Sequence, residues 1–166
     1  MTSLKRSWQS IHNLGVFLMS KTPIQVKVKI LDTETTLPQF AYPGDVAVDL
    51  RSRIDTVLNP HQIVGVPSGI AIELPVGFEA QIRPRSGLAL KHGISLVNTP
   101  GTIDTEYRGE IVCIMINLGQ NEFKISKGDR IAQMAIREVP VVDLIEVPDL
   151  SETTRGSSGF GSSGRK

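Results

Sequence analysis

Turn-forming residues recur along most of this chain and separate short segments that are rich in isoleucine and valine. Groups of Pro, Gly, Asn and Asp stand at residues 43–45, 67–69, 100–101 and 127–129, among other places. Short strands divided by turns every ~8–12 residues are typical of all-β sandwiches and barrels. The 166 residues suit one domain of this kind, so the pattern predicts an all-β fold.

The order of apolar residues within these segments predicts how each strand is buried. Residues 24–30, 70–74 and 78–82 alternate, which is typical of strands with one exposed face. Residues 111–116 are continuously apolar, which predicts that both faces are covered, either inside the barrel or by another subunit. A short helix is expected at residues 87–92, after a turn signal.

Both ends of the chain differ in composition from the middle. We interpret residues 1–23 as an extension of unknown role outside the barrel, with a cleavable targeting peptide as the alternative. The barrel is expected over residues 24–148 and a flexible arm over residues 149–166, whose Gly- and Ser-rich end buries little surface. Such a tail usually has no role, but Arg155 and Phe160 suit an arm that orders over a nucleotide, since Arg pairs with phosphate and Phe stacks on a base.

Composition excludes several classes of function. The 18 basic and 17 acidic residues nearly cancel, which argues against a general nucleic-acid binder. The single cysteine, Cys113, excludes an intrachain disulfide and a zinc site built from clustered cysteines. No apolar run approaches the ~20 residues that span a bilayer. We therefore expect a cytoplasmic protein without nucleic-acid or membrane partners.

Two polar segments suggest an anion or metal site. Asp49 lies in an alternating apolar run, where a carboxylate needs a partner, water or a metal; a surface strand residue is the alternative. Arg85, Ser86 and Gly87 form a turn that opens the short helix and can present guanidinium and backbone N–H groups to an anion. A solvated, arginine-rich turn is the more common explanation for such a segment.

Two further segments carry groups that suit nucleotide chemistry. Pro-Gly within residues 98–110 predicts a hairpin, in which Asn98 can contact a base edge, Asp104 can act as general base or sugar acceptor, and Tyr107 can form a flat wall under a sugar. Ordinary turn chemistry explains the same residue types. Gln133 interrupts an apolar strand, so its amide needs a partner, either a phosphate or, more commonly, backbone.

Taken together, the order and spacing of these segments resemble the five motifs of the trimeric dUTPase family. The matching segments are residues 44–50, 84–89, 101–110, 128–134 and 155–164. Two positions depart from the family pattern. Val46 and Ala47 stand where Ala-Gly is usual, and Ser158 stands where Gly is usual. A Ser at a position that needs positive φ would raise the cost of closing the arm by up to ~1 kcal/mol.

The resemblance implies a jelly-roll-like β-barrel (the dUTPase-like β-clip) that assembles as a homotrimer with three active sites at subunit interfaces. It also implies the reaction: Mg²⁺-assisted hydrolysis of dUTP to dUMP and pyrophosphate by attack of water on the α-phosphorus. This reaction keeps uracil out of DNA and supplies dUMP for thymidylate synthesis.

The resemblance further assigns roles to the residues that match the motifs. Asp104 is the implied general base, Tyr107 lies against the deoxyribose, and Asp49 holds the metal through water. The residues implied to bind uracil are Asn98, Gly101, Thr102 and Ile103. Those implied to bind the triphosphate are Arg85, Ser86, Gly87 and Gln133, and those of the closing arm are Arg155, Phe160, Gly161 and Ser162.

Two other functions are compatible with a barrel of this kind. A dCTP deaminase, or a bifunctional deaminase and triphosphatase, shares a Gly-Thr-Ile-Asp-like hairpin, but residues 107–110 and 155–164 favour the triphosphatase. A non-catalytic β-barrel that binds proteins would lack at least one reacting group, and all of the groups named above are present.

Overall fold

The computed structural model describes residues 23–159, and almost all regular structure in this range is β. The elements in chain order are β1 (Lys27–Ile30), β2 (Val48–Arg51), β3 (Thr56–Leu58), β4 (Ile63–Pro67), β5 (Ile70–Glu73), β6 (Phe78–Pro84), α1 (Ser86–His92), β7 (Ile94–Leu96), β8 (Gly101–Ile103), β9 (Val112–Asn117), β10 (Phe123–Ile125) and β11 (Arg130–Glu138). The all-β prediction and the short helix are both confirmed.

The strands form small antiparallel sheets that fit the jelly-roll-like β-clip. The largest sheet has the order β2-β11-β6-β8, a second has β4-β9-β7, and two pairs are β1-β5 and β10-β3. In the largest sheet, Gln133 of β11 is paired with Asp49 of β2 on one side and with Arg83 of β6 on the other. Directly paired residues share a sheet face, so segments far apart in sequence meet in one polar row.

The expected hairpin around Pro100–Gly101 is wrong. Strand β7 pairs with β9, whereas β8 pairs with β6. The connection at residues 97–100 therefore crosses from one sheet to another. A Pro-Gly turn signal marks a reversal of the chain but does not determine which strand pairs with the one that follows.

Burial follows the predicted pattern in some strands and departs from it in others. In β9, Cys113 and Met115 are buried, but Val112 is 46% and Ile114 39% exposed. Coverage of both faces inside the barrel is thus wrong, and coverage by another subunit stays a prediction. In β5, which we expected to be half-exposed, Ala71 is only 6% exposed. A methyl side chain is covered easily by its neighbours, so the alternation of hydrophobicity gave no sign of this.

One polar side chain is fully enclosed by the core. Asn117, at the end of β9, is 0% exposed. Its Nδ2 donates to the carbonyl oxygens of Leu58 at 2.9 Å and Asn121 at 2.8 Å, and its Oδ1 accepts from the N–H of Gly119 at 2.9 Å. Because a buried amide is costly without partners, these bonds fix the turn that follows β9.

The seven-residue α1, the only helix in residues 23–159, is too short to cross a bilayer.

Candidate active site

The polar row of the largest sheet centres on the carboxylate of Asp49. Its Oδ1 lies 2.9 Å from Nε of Arg85, and its Oδ2 lies 3.2 Å from Nη1 of Arg130. Nη1 of Arg85 also donates to the carbonyl oxygen of Arg130 at 3.0 Å. The partner that the sequence demanded for Asp49 is therefore a pair of guanidiniums, and three separate motifs meet in one cluster.

The charge and exposure of this cluster suit an anionic ligand. Two guanidiniums around one carboxylate leave one positive charge in excess. The side chains of Asp49 and Arg85 are each 27% exposed and that of Arg130 is 47% exposed. Each guanidinium has more N–H groups than these contacts use, so the cluster can bind phosphate oxygens from the solvent side.

The turn beside the cluster leaves space for a ligand to approach the backbone. Arg85 is extended (φ −88°, ψ 126°), and α1 begins at Ser86. A Cβ built on Gly87 would meet nothing within 4 Å.

The helix ends at Gly93, whose φ of 69° is left-handed and favours glycine. A Cβ there would lie 2.8 Å from the backbone nitrogen of Gly119, so this end of α1 also needs glycine for lack of space.

The amide of Gln133 finds a backbone partner. Its Nε2 donates to the carbonyl oxygen of Pro84 at 2.8 Å, which ties β11 to the residue before Arg85. The sequence left a phosphate or the backbone as the partner of this amide, and the structure shows a bond to the backbone. The second hydrogen of Nε2 allows a phosphate contact in addition.

The loop after β8 presents the candidate base and sugar-binding residues on the surface. Asp104 and Tyr107 are both exposed, and the N–H of Tyr107 donates to the carbonyl oxygen of Asp104 at 3.1 Å. The hydroxyl of Thr105 donates to the carbonyl oxygen of Phe78 at 2.9 Å and anchors the start of the loop to β6. Tyr107 is 45% exposed, so its ring is accessible to a ligand.

Asn98 and Gly101 lie together, as a base-binding group requires. A Cβ on Gly101 would lie 3.2 Å from Nδ2 of Asn98. These residues line a cavity of about 40 Å³ together with Ile82, Leu96, Thr102, Ile103, Val112, Cys113 and Ile114. Pockets that enclose small ligands have volumes of roughly 300–1,000 Å³, so this cavity does not enclose a pyrimidine.

The Asp49 cluster and part of the group at Asn98 and Gly101 face opposite sides of the sheet. Gly101 is paired with Ile82, and Thr102 with Gln81. Gln81 shares a face with Arg83, which is paired with Gln133. Gly101 therefore lies on the face opposite Asp49. Within residues 23–159, no hydrogen bond or ion pair joins the loop at 98–110 to the Asp49 cluster.

An ion pair that the sequence did not reveal fixes the end of the same loop. The carboxylate of Glu110 accepts from Arg53, with Oε1 2.9 Å from Nε and Oε2 2.8 Å from Nη2. Its Oε1 also accepts from the N–H of Gly69 at 2.7 Å. The hydrogen bond to Glu110, followed by its charge, raises the pKa of Arg53 above its usual value. The partners are 57 residues apart, and no local pattern pairs them.

A second charged cluster holds the turn that precedes Arg130. Nζ of Lys127 lies 2.7 Å from Glu34 and 3.2 Å from Asp32. The N–H of Glu34, together with Lys127, holds the pKa of Asp32 below its usual value, and the bond to Glu34 raises that of Lys127. The turn is also bound to β2, because Arg51 donates to the carbonyl oxygen of Gly128 at 2.7 Å.

The beginning of the C-terminal arm forms a turn. Nε of Arg155 donates to the carbonyl oxygen of Ser158 at 2.9 Å, and the N–H of Ser158 donates back to Arg155 at 3.1 Å. Positive φ falls on Gly156, at 51°, rather than on Ser158. Ser158 is thus unstrained in this conformation. The predicted arm residues Phe160, Gly161 and Ser162 lie outside the described residues.

The side chains at the cluster favour a metal ion that arrives bound to a phosphate ligand over one that is held by protein groups alone. Among residues 23–159, no three His, Cys, Asp or Glu side chains gather to hold an ion. The one carboxylate of the cluster, Asp49, lies between two guanidiniums. Mg²⁺ commonly binds through phosphate oxygens, waters and one or two carboxylates. The residues present fit an Mg²⁺ ion carried by a phosphate chain, with Asp49 contacting its water.

Comparison with known proteins gives consistent results. The dUTPase family model matches residues 33–164. A deoxyuridine 5'-triphosphate nucleotidohydrolase of Clostridium tetani is 50% identical over 144 residues, which cover 87% of this chain and 99% of the relative. One from Gloeothece citriformis is 52% identical over 141 residues, covering 85% and 97%.

Solved structures show the same architecture. The dUTPase of Staphylococcus bacteriophage 80alpha with dUpNHpp aligns with a TM-score of 0.78 and 26% identity, over 84% of this chain and 98% of that one. A dUTPase from phage phi11 of S. aureus, which coordinates a structural Mg(II) ion, aligns with a TM-score of 0.71 and 19% identity, covering 77% and 99%. The second likeness concerns the fold alone.

Proposed function

Because the chain belongs to the dUTPase family and hydrolyses dUTP, we propose that it does so as a homotrimer, with Mg²⁺, by attack of water on the α-phosphorus. The products are dUMP and pyrophosphate. The observation that carries the proposal is the cluster in which Arg85 and Arg130 bind the carboxylate of Asp49. It supplies oriented positive charge, and positioning together with charge stabilisation accounts for most catalysis of phosphoryl transfer.

The triphosphate would bind at this cluster. Arg85 donates to phosphate oxygens, and Asp49 holds its guanidinium in a fixed orientation. Gly87 leaves the backbone of the turn open to the ligand, and Ser86 and Gln133 add polar contacts. Bound Mg²⁺ would supply charge neutralisation of the phosphates, and Asp49 is the residue placed to contact its water.

Asp104 is the proposed general base. It lies on the surface directly after β8, and its carbonyl oxygen accepts from the N–H of Tyr107, which closes the turn at residues 105–106. A carboxylate that accepts a proton from water while it orients the sugar 3′-hydroxyl serves both binding and turnover. Asn98 and the backbone of 101–103 would pair with uracil, and the ring of Tyr107 would lie against the deoxyribose.

A shared site between subunits is supported by the geometry of one protomer. Gly101 and Asp49 lie on opposite faces of the largest sheet, so one molecule does not enclose a nucleotide between them. The exposed Val112 and Ile114 of β9 provide an apolar surface for a neighbouring subunit. Arg155 and the arm beyond it, with Phe160, Gly161 and Ser162, would then close over the nucleotide and exclude water.

A substrate panel with matched variants tests the proposal. The purified protein is offered each deoxynucleoside triphosphate with Mg²⁺, and pyrophosphate and ammonia are measured. We expect pyrophosphate from dUTP alone. Ammonia from dCTP would instead indicate a deaminase. Asp104→Asn should lower kcat at least about 100-fold while dUMP binding persists, whereas Asp143→Asn, an exposed acid outside the motifs, should retain activity.

The role of the arm and the assembly are tested separately. A chain that ends at Thr154 should keep the mass of the trimer in solution and lose most hydrolysis. Full activity of the truncated chain would remove the arm from the mechanism, and a monomeric mass for the active full chain would remove the shared site. A cytoplasmic location and the division at residues 23 and 148 stay predictions.

A further inference from the structure

The ring of Tyr107 lies directly across Gly109. A Cβ built on Gly109 would stand 2.5 Å from Cζ of Tyr107 and closer still to its hydroxyl. Real Cβ atoms essentially never come within 3.0 Å of another heavy atom, and the atoms met here belong to one rigid aromatic group, which can move only as a whole. Any larger residue at position 109 must therefore displace the ring from its present place.

The hydroxyl of Tyr107 is also held by Glu110. It donates to the carbonyl oxygen of Glu110 at 3.1 Å. The carboxylate of Glu110 is in turn bound at three points, two on the guanidinium of Arg53 and one on the N–H of Gly69. Bidentate Arg–carboxylate pairs fix direction as well as distance. The acceptor of Tyr107 is thus fixed to the body of the fold.

We propose that Gly109, Glu110 and Arg53 are positioning residues that set the Tyr107 ring against the sugar and so determine the preference for deoxyribose over ribose. The proposal rests on the role of Tyr107 given above. A wall excludes a 2′-hydroxyl only if it does not yield, because a shift of ~1 Å in a positioned group is enough to change rates by large factors.

The remainder of the loop is fixed by contacts other than those of Gly109 and Glu110 with Tyr107. Thr105 is bound to Phe78 at 2.9 Å, and Nη1 of Arg108 donates to the carbonyl oxygens of Thr105 at 2.6 Å and Tyr107 at 3.0 Å. A side chain added at Gly109, or loss of the contacts made by the Glu110 carboxylate, should therefore move the ring while Asp104 stays in place. The expected consequence is a change in sugar selection that exceeds the change in turnover of dUTP.

Steady-state kinetics measure this consequence. Gly109→Ala and Glu110→Gln should each raise the ratio of kcat/KM for UTP to that for dUTP by about tenfold, and kcat for dUTP should fall by less than about threefold. The conservative Arg53→Lys, which replaces a fork by a single ammonium, should give a smaller rise. Glu122→Gln is the matched control, because it breaks an exposed ion pair with Lys124 at 3.3 Å elsewhere in the fold.

Fluorine NMR follows the ring itself without activity. The chain has two tyrosines, Tyr42 and Tyr107, so incorporation of 3-fluorotyrosine gives two sets of signals, assigned with Tyr42→Phe. The Tyr107 signal should shift or broaden in Gly109→Ala and Glu110→Gln and stay unchanged in Glu122→Gln. An unchanged signal in both variants would overturn the inference. If Gly109→Ala does not fold, Glu110→Gln and Arg53→Lys decide the matter by the same two measurements.

Tyr107→Ala separates this inference from the proposed function. If Tyr107→Ala raises the ratio of kcat/KM for UTP to that for dUTP and the variants at Gly109, Glu110 and Arg53 do not, the positioning inference is wrong. The role of Tyr107 would then stand. If Tyr107→Ala leaves the ratio unchanged, the proposed sugar contact is itself wrong.

Discussion

Replacing Asp49 by Asn gives the sharpest test of the cluster that Asp49 forms with Arg85 and Arg130. The change removes one negative charge and keeps the size and shape of the side chain. Asp49 binds Arg85 at 2.9 Å and Arg130 at 3.2 Å. In Asp49→Asn, both guanidiniums lose a charged acceptor, so Arg85 is no longer held in one orientation towards the phosphates.

The stability effect should be small, because all three side chains are partly exposed. Ion pairs of this kind contribute about 1 kcal/mol or less each. The loss of two should therefore lower stability by at most about 2 kcal/mol, which corresponds to a fall in Tm of roughly 4–8 °C for a chain of this size. Asp49→Asn should thus remain folded at assay temperature.

The catalytic effect should be larger and should fall on kcat. A charge-assisted hydrogen bond that acts in the transition state is worth about 1.5–3 kcal/mol, which corresponds to a loss of about 10- to 150-fold. The variant site is more positive, so triphosphate binding is not weakened and KM should stay within about threefold. Asp45→Asn is the control, since Asp45 lies in the preceding turn and accepts only a backbone N–H, from Tyr42 at 2.9 Å.

Steady-state hydrolysis of dUTP and thermal unfolding of both variants check this reasoning. An unchanged kcat with a raised KM would refute it, because Asp49 would then act in binding alone. Recovery of kcat at high Mg²⁺ would instead assign the loss to the contact of Asp49 with the water of the metal, and not to a misoriented arginine.

Three further predictions concern the rest of the fold. Asn117→Ala should lower the free energy of unfolding by about 3–5 kcal/mol, because buried backbone groups lose their partners, and urea denaturation measures this. Burial raises the pKa of Cys113 to about 12, so iodoacetamide at pH 8 should label this lone thiol only after unfolding, and rapid labelling of the native protein would contradict the burial. The N–H of Glu34, and next Lys127, lower the pKa of Asp32, so these bonds stabilise the fold above pH 3.8 and their contribution is lost as the pH falls through the folded-state pKa. The difference in Tm between the wild type and Asp32→Asn should therefore be present at pH 6 and shrink in acid, whereas a difference that does not change with pH would exclude this linkage.

Features that depend on neighbours along the chain were predictable. Turn residues and short apolar runs gave the all-β class, and residues 87–92 lie within α1. The alternation in β6 holds, with Ala80 and Ile82 buried between half-buried neighbours. Local geometry decides such features, since glycine and proline restrict the backbone and alternation follows from the two faces of a strand.

The choice of partner strands was not predictable in the same way. The turn at Pro100–Gly101 was identified, yet β7 and β8 pair with other strands. Strand β9 was expected to be covered on both faces, yet Val112 and Ile114 are exposed in the single chain. Strand pairing and burial both depend on where another segment packs. An apolar run of residues does not indicate which segment that is.

The sequence by itself determined the chemical inventory of this dUTPase-family protein and the order of its motifs, because residue types and spacing need no contact map to be read. Only the tertiary structure decided that Arg130 and Asp49, 81 residues apart, belong to one charged cluster, and that Arg53 fixes Glu110 at the end of the loop that carries Tyr107. Antiparallel pairing of distant strands sets these distances. The energy of an ion pair depends on separation and burial, which exist only once the sheets have formed.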